Sequence, residues 1–125
     1  MTLDVTLGFE LTDLDAGRAY ASVEIDDRHL QPLGVVHGGV YAALAESLAS
    51  HATAAAVMPD GQTALGSSNL TSFLRPVTGG TVRAEAERLH RGRTTWVWDV
   101  RFTDHEGRLC ATSRITVAVR ALEGS

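Results

Sequence analysis

The sequence predicts an α+β domain in which an antiparallel β-sheet packs against one long helix. An alanine-rich stretch, residues 40–57, contains neither glycine nor proline, as a long helix requires. The segments on either side of it alternate apolar and polar residues and are separated by turn signals, which is typical of antiparallel strands. The chain has 125 residues, a length that is ordinary for one domain, so we expect residues 1–125 to form a single domain.

The first predicted element is a hairpin within GFELTDLDAGRAYASVEID, residues 8–26. Asp15-Ala16-Gly17 supplies the turn signal. After this turn every second residue is apolar, which indicates a half-buried strand; these residues are Ala19, Ala21, Val23 and Ile25. Pro32 and Gly34 then mark a loop before the helix.

Four more strands are predicted after Pro59-Asp60-Gly61, which ends the helix. They cover residues 62–74, 81–89, 94–103 and 109–119. The last two strands place their large apolar residues on one face; these are Trp96, Trp98, Val100, Phe102, Ile115, Val117 and Val119. We expect the tail, residues 121–125, to be frayed. One helix covers only one face of such a sheet, so the free edges and the other face favour a homo-oligomer.

Composition excludes several functional classes. Eleven basic and fifteen acidic residues give a net charge of -4, which argues against nucleic acid as a partner. Cys110 is the one cysteine, so no internal disulfide forms, and we expect it to be a buried apolar filler. The N-terminus lacks a signal-peptide pattern, and no apolar run reaches the ~18 residues of a membrane span. We therefore expect a soluble cytoplasmic protein with no membrane partner.

The predicted helix carries a single acid, Glu46. On a helical wheel the stripe that packs on the sheet consists of Val40, Tyr41, Leu44 and Leu48. Glu46 lies nearly opposite this stripe, and its neighbours there are all small: Gly39, Ala42, Ala43, Ala49, Ser50 and Thr53. Solvent exposure is one interpretation. A face with one charge and many small residues also permits close approach, which favours a second chain or a ligand covering it.

The helix begins directly after His37, at two glycines. The first N–H groups of a helix lack intrahelical partners and suit a developing oxyanion. Glycine leaves them unobstructed, so Gly38 is a candidate carbonyl-binding residue. His37 either positions a group there or caps the helix. The alternative is an ordinary loop-to-helix junction at which the glycines relieve strain.

The segment QPLGVVHGGVYAALAESLAS, residues 31–50, resembles the active-site segment of hotdog-fold acyl-CoA thioesterases. It is most similar to the 4-hydroxybenzoyl-CoA thioesterase type, and also resembles 1,4-dihydroxy-2-naphthoyl-CoA and phenylacetate-pathway thioesterases. The glutamine, the His-Gly-Gly and the glutamate nine residues after the histidine all match. The resemblance extends over essentially the whole chain and implies a hotdog fold, an antiparallel β-sheet wrapped around one long central helix.

The resemblance also implies roles for individual residues. Glu46 would be the catalytic carboxylate, as nucleophile or as general base for water, and the Gly38 N–H would polarise the thioester carbonyl. Gln31 and His37 would orient the thioester and the loop, and the Ser50 hydroxyl would hold the water or the carboxylate. The loop and the glutamate of one site would come from different subunits, in a homotetramer that is a dimer of dimers. The substrate would be an acyl-CoA, with an aromatic acyl group, and no cofactor would be needed.

Four arginines are candidates for the coenzyme A phosphates, because a guanidinium matches phosphate geometry; they are Arg75, Arg88, Arg91 and Arg93. A solvated turn is the alternative for the last three, and the same alternative applies to Arg75, which precedes Pro76. The segment 67–73 either lines the acyl pocket or is a plain strand. None of the five histidines forms a close ligand pair, so we expect no metal.

Two other functions stay open from the residues alone. A hotdog hydratase or dehydratase would act on the same thioesters, but it pairs a catalytic histidine with an acid in a different arrangement. A non-enzymatic acyl-CoA binding protein would use Glu46 only structurally. Release of free coenzyme A that depends on Glu46 separates both from a thioesterase.

Overall fold

The structure, a computed structural model, describes residues 1–15 and 17–122. It contains one long helix and a six-stranded antiparallel sheet, so the predicted α+β class is confirmed. The expectation of a frayed tail falls partly on residues 123–125, which lie outside the described residues, as does Ala16 of the predicted turn. The two residues that flank Ala16 are described, and the Gly17 N–H donates to Asp15 Oδ1 at 2.9 Å.

The bounds of the elements follow the sequence pattern closely. The long helix, α2, spans Gly38–Val57, and a single 3₁₀ turn, Met58–Asp60, follows it. The strands are β1 (Glu10–Leu14), β2 (Arg18–Ile25), β3 (Gln62–Phe73), β4 (Gly80–Arg91), β5 (Thr95–Thr103) and β6 (Leu109–Ala121).

The strands are arranged in the order β1-β2-β4-β5-β6-β3. Every neighbouring pair is antiparallel, and helix α2 contacts all six strands. The strand that follows the helix, β3, therefore lies at the far edge of the sheet, where β6 is its only partner among the strands of residues 1–15 and 17–122. Its other edge is open, and it exposes Leu65 and Leu70 by 62% and 71%. A long open edge with exposed leucines is a surface that soluble proteins normally cover.

The core lies between α2 and the inner face of the sheet. The large apolar residues predicted for the last two strands are all buried, and Trp98 among them is fully buried. On the helix side of the core, Leu44 is also fully buried. One part of the helical wheel was wrong, because Ala49 and Thr53 face the core and not the Glu46 side. Thr53 is held there by hydrogen bonds: its Oγ1 accepts from Trp98 Nε1 at 2.9 Å and donates to the Ala49 carbonyl at 2.8 Å.

A short helix, α1 (Leu3–Leu7), precedes the sheet and was not predicted. Five residues are too few to show an apolar periodicity, and the sequence features that define this helix are the residues at its two ends. Thr2 caps its first turn, and Gly8 ends it with φ of 72°. Asp4 Oδ1 accepts a 2.6 Å hydrogen bond from Ser47 Oγ and so fastens α1 to α2. Within the described residues, no helix combines the length and the apolar character needed to cross a bilayer.

Candidate active site

The loop before α2 is held in place by backbone and histidine hydrogen bonds. His29 is fully buried. Its Nδ1 accepts from the Asp26 N–H at 2.9 Å, so Nε2 carries the proton and donates to the Leu7 carbonyl at 2.6 Å. The His29 carbonyl accepts from the His37 N–H at 2.8 Å. The buried His29 therefore fixes the residue that immediately precedes the helix.

His37 is the N-cap of α2, the second of the two roles considered for it. Its Nδ1 accepts from the Gly39 N–H at 2.8 Å, and its carbonyl accepts from the Val40 N–H at 2.9 Å. Among the described residues, the Gly38 N–H has no acceptor. The cap therefore leaves one helix-terminal donor free, and that donor belongs to the residue predicted to bind a carbonyl.

A cleft of about 350 Å³ opens beside this free donor. Gln31, Gly38 and Arg75 line it together with Tyr41, Phe73 and other residues of the two flanking segments. Gln31 Oε1 accepts from the Leu33 N–H, so the donor group of this side chain, its NH₂, is not used in that bond. The structure thus brings together three of the residues predicted from the sequence.

Phe73 covers the start of the helix, a contact that was not predicted. A Cβ added to Gly38 would come within 2.5 Å of the Phe73 ring, so the ring rests directly on the glycine. Phe73 is nevertheless 60% exposed, and its ring centroid lies 6.3 Å from that of Tyr41. The residue forms an aromatic wall of the cleft, which agrees with the pocket-lining interpretation of residues 67–73 at their last position.

Glu46 lies elsewhere on the helix, exposed and next to the edge strand β3. Its carboxylate packs over the backbone of Gly66, where a Cβ would lie 3.1 Å from Glu46 Oε2. Ser50 is half-buried one turn further along. Gly66 was also missed, although a glycine in a strand interior is a known sign of close approach by another group.

Within one chain the two halves of the predicted site are separate. Glu46 comes eight residues after Gly38, the start of the helix, which at 1.5 Å per residue is about 12 Å along the axis. Glu46 does not line the cleft that contains Gly38. A single thioester carbonyl cannot sit at its best position against both groups of the same chain, which agrees with a site shared between subunits.

The candidate phosphate-binding arginines lie at two opposite ends of α2. Arg75 is at the cleft near the N-terminal end. Arg91 and Arg93 line a cleft of about 180 Å³ with Val57, at the C-terminal end. The guanidinium carbons of Arg88 and Arg91 lie 5.2 and 4.9 Å from the ring centroid of Trp96. Arg88 and Arg91 belong to β4 and not to the turn.

Two buried titratable groups have raised pKa values. Cys110 is buried, as expected, and burial raises the pKa of its thiol. Burial also raises the pKa of Tyr41 well above its usual value. A cleft of about 410 Å³ lies on the outer face of the sheet among ion-paired residues such as Arg114 and Asp99. Leu70 and Ser72 of the segment 67–73 line it, but none of the other predicted site residues does. No cluster of three or more possible metal ligands occurs in residues 1–15 and 17–122.

Comparison with known proteins agrees with this geometry. A family model described as the thioesterase superfamily matches residues 33–111. The chain is 36% identical to a 1,4-dihydroxy-2-naphthoyl-CoA hydrolase of Listeria monocytogenes, over 96% of this chain and 97% of the relative. It is 40% identical to the proofreading thioesterase EntH of Klebsiella pneumoniae, over 94% and 85% of the two chains.

Solved structures give the same result. The crystal structure of a thioesterase from Haemophilus influenzae superposes with a TM-score of 0.90 at 35% identity and covers 98% of this chain and 86% of its own. The phenylacetic acid operon protein PaaI of E. coli superposes with a TM-score of 0.82 at 25% identity, over 98% and 85% of the two chains. The predicted hotdog fold is therefore confirmed, and the chain belongs to the thioesterase superfamily as a hydrolase of thioesters.

Proposed function

We propose that this enzyme hydrolyses aryl-CoA thioesters to the free acid and coenzyme A. The acyl groups would be of the 4-hydroxybenzoyl, dihydroxynaphthoyl or phenylacetyl kind. The observation that carries the proposal is the free N–H of Gly38, which lines an open cleft at the positive end of α2. Phe73 and Tyr41 give the cleft aromatic walls suited to a ring. The relative named as a naphthoyl-CoA hydrolase supports the same substrate class.

In the proposed reaction the thioester carbonyl accepts a hydrogen bond from the Gly38 N–H, which stabilises the oxyanion as it forms. The Gln31 NH₂ orients the thioester, and His37 keeps the helix terminus in shape. The Glu46 carboxylate either attacks the carbonyl carbon or takes a proton from the attacking water, and Ser50 holds that water or the carboxylate. In the general-base route the water oxygen bonds to the carbonyl carbon, the C–S bond breaks, and the proton held by Glu46 passes to the thiolate, so that coenzyme A leaves as the thiol. In the nucleophile route the C–S bond breaks to leave a mixed anhydride on Glu46; water then hydrolyses this anhydride to the free acid and the Glu46 carboxylate, and the coenzyme A thiolate takes the proton that the water releases. No metal or cofactor is needed for this step.

We also propose that each site is completed by a second copy of the chain joined at β3. Glu46 packs against this open edge strand, so a partner docked there would approach the carboxylate. The partner's loop and helix start could then supply the carbonyl donor that Glu46 lacks in its own chain. Two such dimers would form the homotetramer. The free, buried thiol of Cys110 agrees with a cytoplasmic, reducing location.

The coenzyme A phosphates are proposed to bind arginines at one end of α2. Arg75 lies beside the carbonyl donor, whereas Arg88, Arg91 and Arg93 lie at the other end and could serve a site that uses Glu46 of the same chain. Charge reversal at Arg75 and at Arg91, measured as the change in KM for the same substrate, separates the two groups. The variant that raises KM identifies the end that holds the phosphates.

The decisive experiment measures thiol release from a panel of aryl- and alkyl-CoA thioesters with the wild type, Glu46→Gln and Glu10→Gln. The last variant makes the same change on an exposed glutamate of β1 and serves as the control. We expect Glu46→Gln to lose ~10²-fold or more in kcat and the control to lose nothing. Full activity of Glu46→Gln refutes the mechanism. A hydrated thioester without free thiol would identify a hydratase.

A mixing experiment tests the shared site. Glu46→Gln and Gln31→Ala are each expected to be poorly active, and each damages a different half of the site. If the halves come from different subunits of a two-fold dimer, refolding the two variants together restores up to about a quarter of wild-type activity, because half of the dimers then hold one intact site. No recovery beyond the sum of the separate variants contradicts a shared site.

A further inference from the structure

The side chain of Glu46 lies directly on the backbone of Gly66 in β3. A Cβ on Gly66 would come within 2.9 Å of both Cγ and Cδ of Glu46, and within 3.1 Å of Oε2. Carbon atoms normally stay about 3.5–4.0 Å apart, so any other residue at this position must push the carboxylate away. Gly66 is not among the glycines with positive φ. Space for Glu46, and not backbone conformation, is therefore the reason for a glycine here.

The strand is also irregular at this point. The pairing of β3 with β6 shifts between Gly66 and Ser68, so Ser67 is an extra residue in β3. Such a bulge bends the strand and changes the direction of the residues around it. Ser67 Oγ donates to the Thr116 carbonyl of β6 at 3.1 Å, which holds the bulge in place. The bend occurs where β3 passes beneath Glu46.

A second contact joins β3 to the same turn of α2. Asn69 Nδ2 donates to the Ala42 carbonyl at 2.9 Å. In an α-helix that carbonyl also accepts the N–H of residue 46, so the bond acts on the turn that carries Glu46. Asn69 is itself held, because Thr71 Oγ1 donates to its Oδ1 at 2.7 Å and lies 2.7 Å from Ser113 Oγ. A chain of side-chain hydrogen bonds thus runs from β6 through β3 to the helix.

We propose that Gly66 and Asn69 are positioning residues for the Glu46 carboxylate, an inference that rests on the proposed function. The Gly66 backbone is the surface on which the Glu46 carboxylate packs. The hydrogen bond from Asn69 to the Ala42 carbonyl fixes the distance between β3 and the helix turn that carries Glu46. Neither residue forms or breaks a bond in the proposed reaction. Their effect is on rate, since a displacement of about 1 Å in a reacting group can cost ~10²-fold in rate.

The test compares Gly66→Ala with Gly79→Ala. Both variants add the same methyl group, but a Cβ on Gly79 meets nothing within 4 Å and its φ is ordinary. We expect Gly66→Ala to lower kcat about 10- to 100-fold, with KM within about threefold, and Gly79→Ala to behave as wild type. Equal kcat values for the two variants would overturn the proposal.

A double-variant experiment separates positioning from a general effect on β3. Glu46→Ala removes Cγ, Cδ and the carboxylate oxygens, which are the atoms that a Cβ on Gly66 would meet. In that background we expect Gly66→Ala to cost less than about threefold of the remaining kcat, because the clash is absent. If Gly66→Ala costs the same factor in both backgrounds, as it would if it only disturbed the strand or an assembly through it, the proposal is wrong.

Asn69 is tested by Asn69→Asp, which keeps the acceptor for Thr71 but cannot donate to the Ala42 carbonyl. We expect a kcat lower by about tenfold. When Asn69→Asp is combined with Gly66→Ala, the two losses should not add, because both variants act on the Glu46 carboxylate. Wild-type kcat for Asn69→Asp would remove Asn69 from the proposal. Failure of the proposed function itself looks different, since Glu46→Ala would then keep full activity whatever Gly66 does.

Discussion

The substitution Gly38→Ala, at the start of α2, should lower the catalytic activity strongly while it changes the free energy of unfolding only slightly. The new methyl group would meet the Phe73 ring at 2.5 Å, so the ring must move. Phe73 is 60% exposed, so only about two fifths of its possible burial is lost. Complete burial of such a side chain stabilises by about 1.5–3 kcal/mol, and displacing the ring therefore costs about 0.6–1.2 kcal/mol.

An opposing effect comes from the helix. Replacing glycine by alanine in a helix stabilises by about 0.5–1 kcal/mol, and somewhat less at the first residue. The free energy of unfolding should therefore change by less than about 1 kcal/mol. With an unfolding entropy of about 2.1 cal/mol/K per residue, this corresponds to a shift in Tm of less than about 4 °C. The activity should respond far more strongly, because the methyl group and the displaced ring both obstruct the Gly38 N–H.

The assay is thiol release beside a thermal melt. Loss of one oxyanion donor costs about 10²–10³-fold in kcat, and we expect Gly38→Ala to lose ~10²-fold. The double variant Gly38→Ala/Phe73→Ala removes the ring and shows whether the methyl group alone obstructs the donor. If Gly38→Ala retains most of kcat, the Gly38 N–H is not the carbonyl donor. If Tm falls by more than about 10 °C, the packing estimate is wrong.

Two further predictions concern stability. Thr53→Val leaves the buried Trp98 Nε1–H without an acceptor, so we expect a loss of about 1–3 kcal/mol in the free energy of unfolding. Urea unfolding checks this, and the loss should largely vanish in a Trp98→Phe background. In the β5–β6 turn, hydrogen bonds from the backbone N–H and the side chain of Arg108 hold the pKa of Asp104 below its usual range. A lowered pKa means that ionised Asp104 stabilises the fold above the ordinary aspartate value of about 3.9, and that this contribution is lost as pH falls through the lower folded value. Unfolding curves from pH 7 to 2 should therefore show a stability advantage of wild type over Asp104→Asn that shrinks only in the acidic range; an advantage independent of pH contradicts this.

The local pattern of the chain predicts most of the fold, because most of its elements are determined by local periodicity. The helix expected at residues 40–57 begins only two residues earlier, at Gly38, and the alternation around Trp98 and Ile115 correctly identifies the buried face. The place of β3 at the far edge, beside β6, was not predictable in this way. Pairing between distant strands depends on the sheet as a whole, and β3 is exposed on both faces, so it lacks a clear alternation.

In the candidate site, too, the features set by local sequence were predictable and those set by distant contacts were not. The spacing of His37, Gly38 and Glu46 is local and was visible in the sequence. The contacts of Phe73 with Gly38 and of Gly66 with Glu46 depend on where β3 lies against the helix, and no local pattern contains that information. The position of Gly66 inside a predicted strand was the one available sign of a close contact. It did not identify Glu46 as the residue that makes the contact.

The arrangement around Trp96 gives this protein a label-free optical reporter. Both tryptophans are buried, and in the described part of the chain only Trp96 has guanidinium groups over its ring, those of Arg88 and Arg91 at 5.2 and 4.9 Å. An anion that draws these arginines away removes positive charge from the face of that indole and alters its emission. Trp98 donates a hydrogen bond to Thr53 in the core, so its emission should change only when the chain unfolds. Fluorescence titration with coenzyme A can therefore report binding at this end of the helix without a turnover assay.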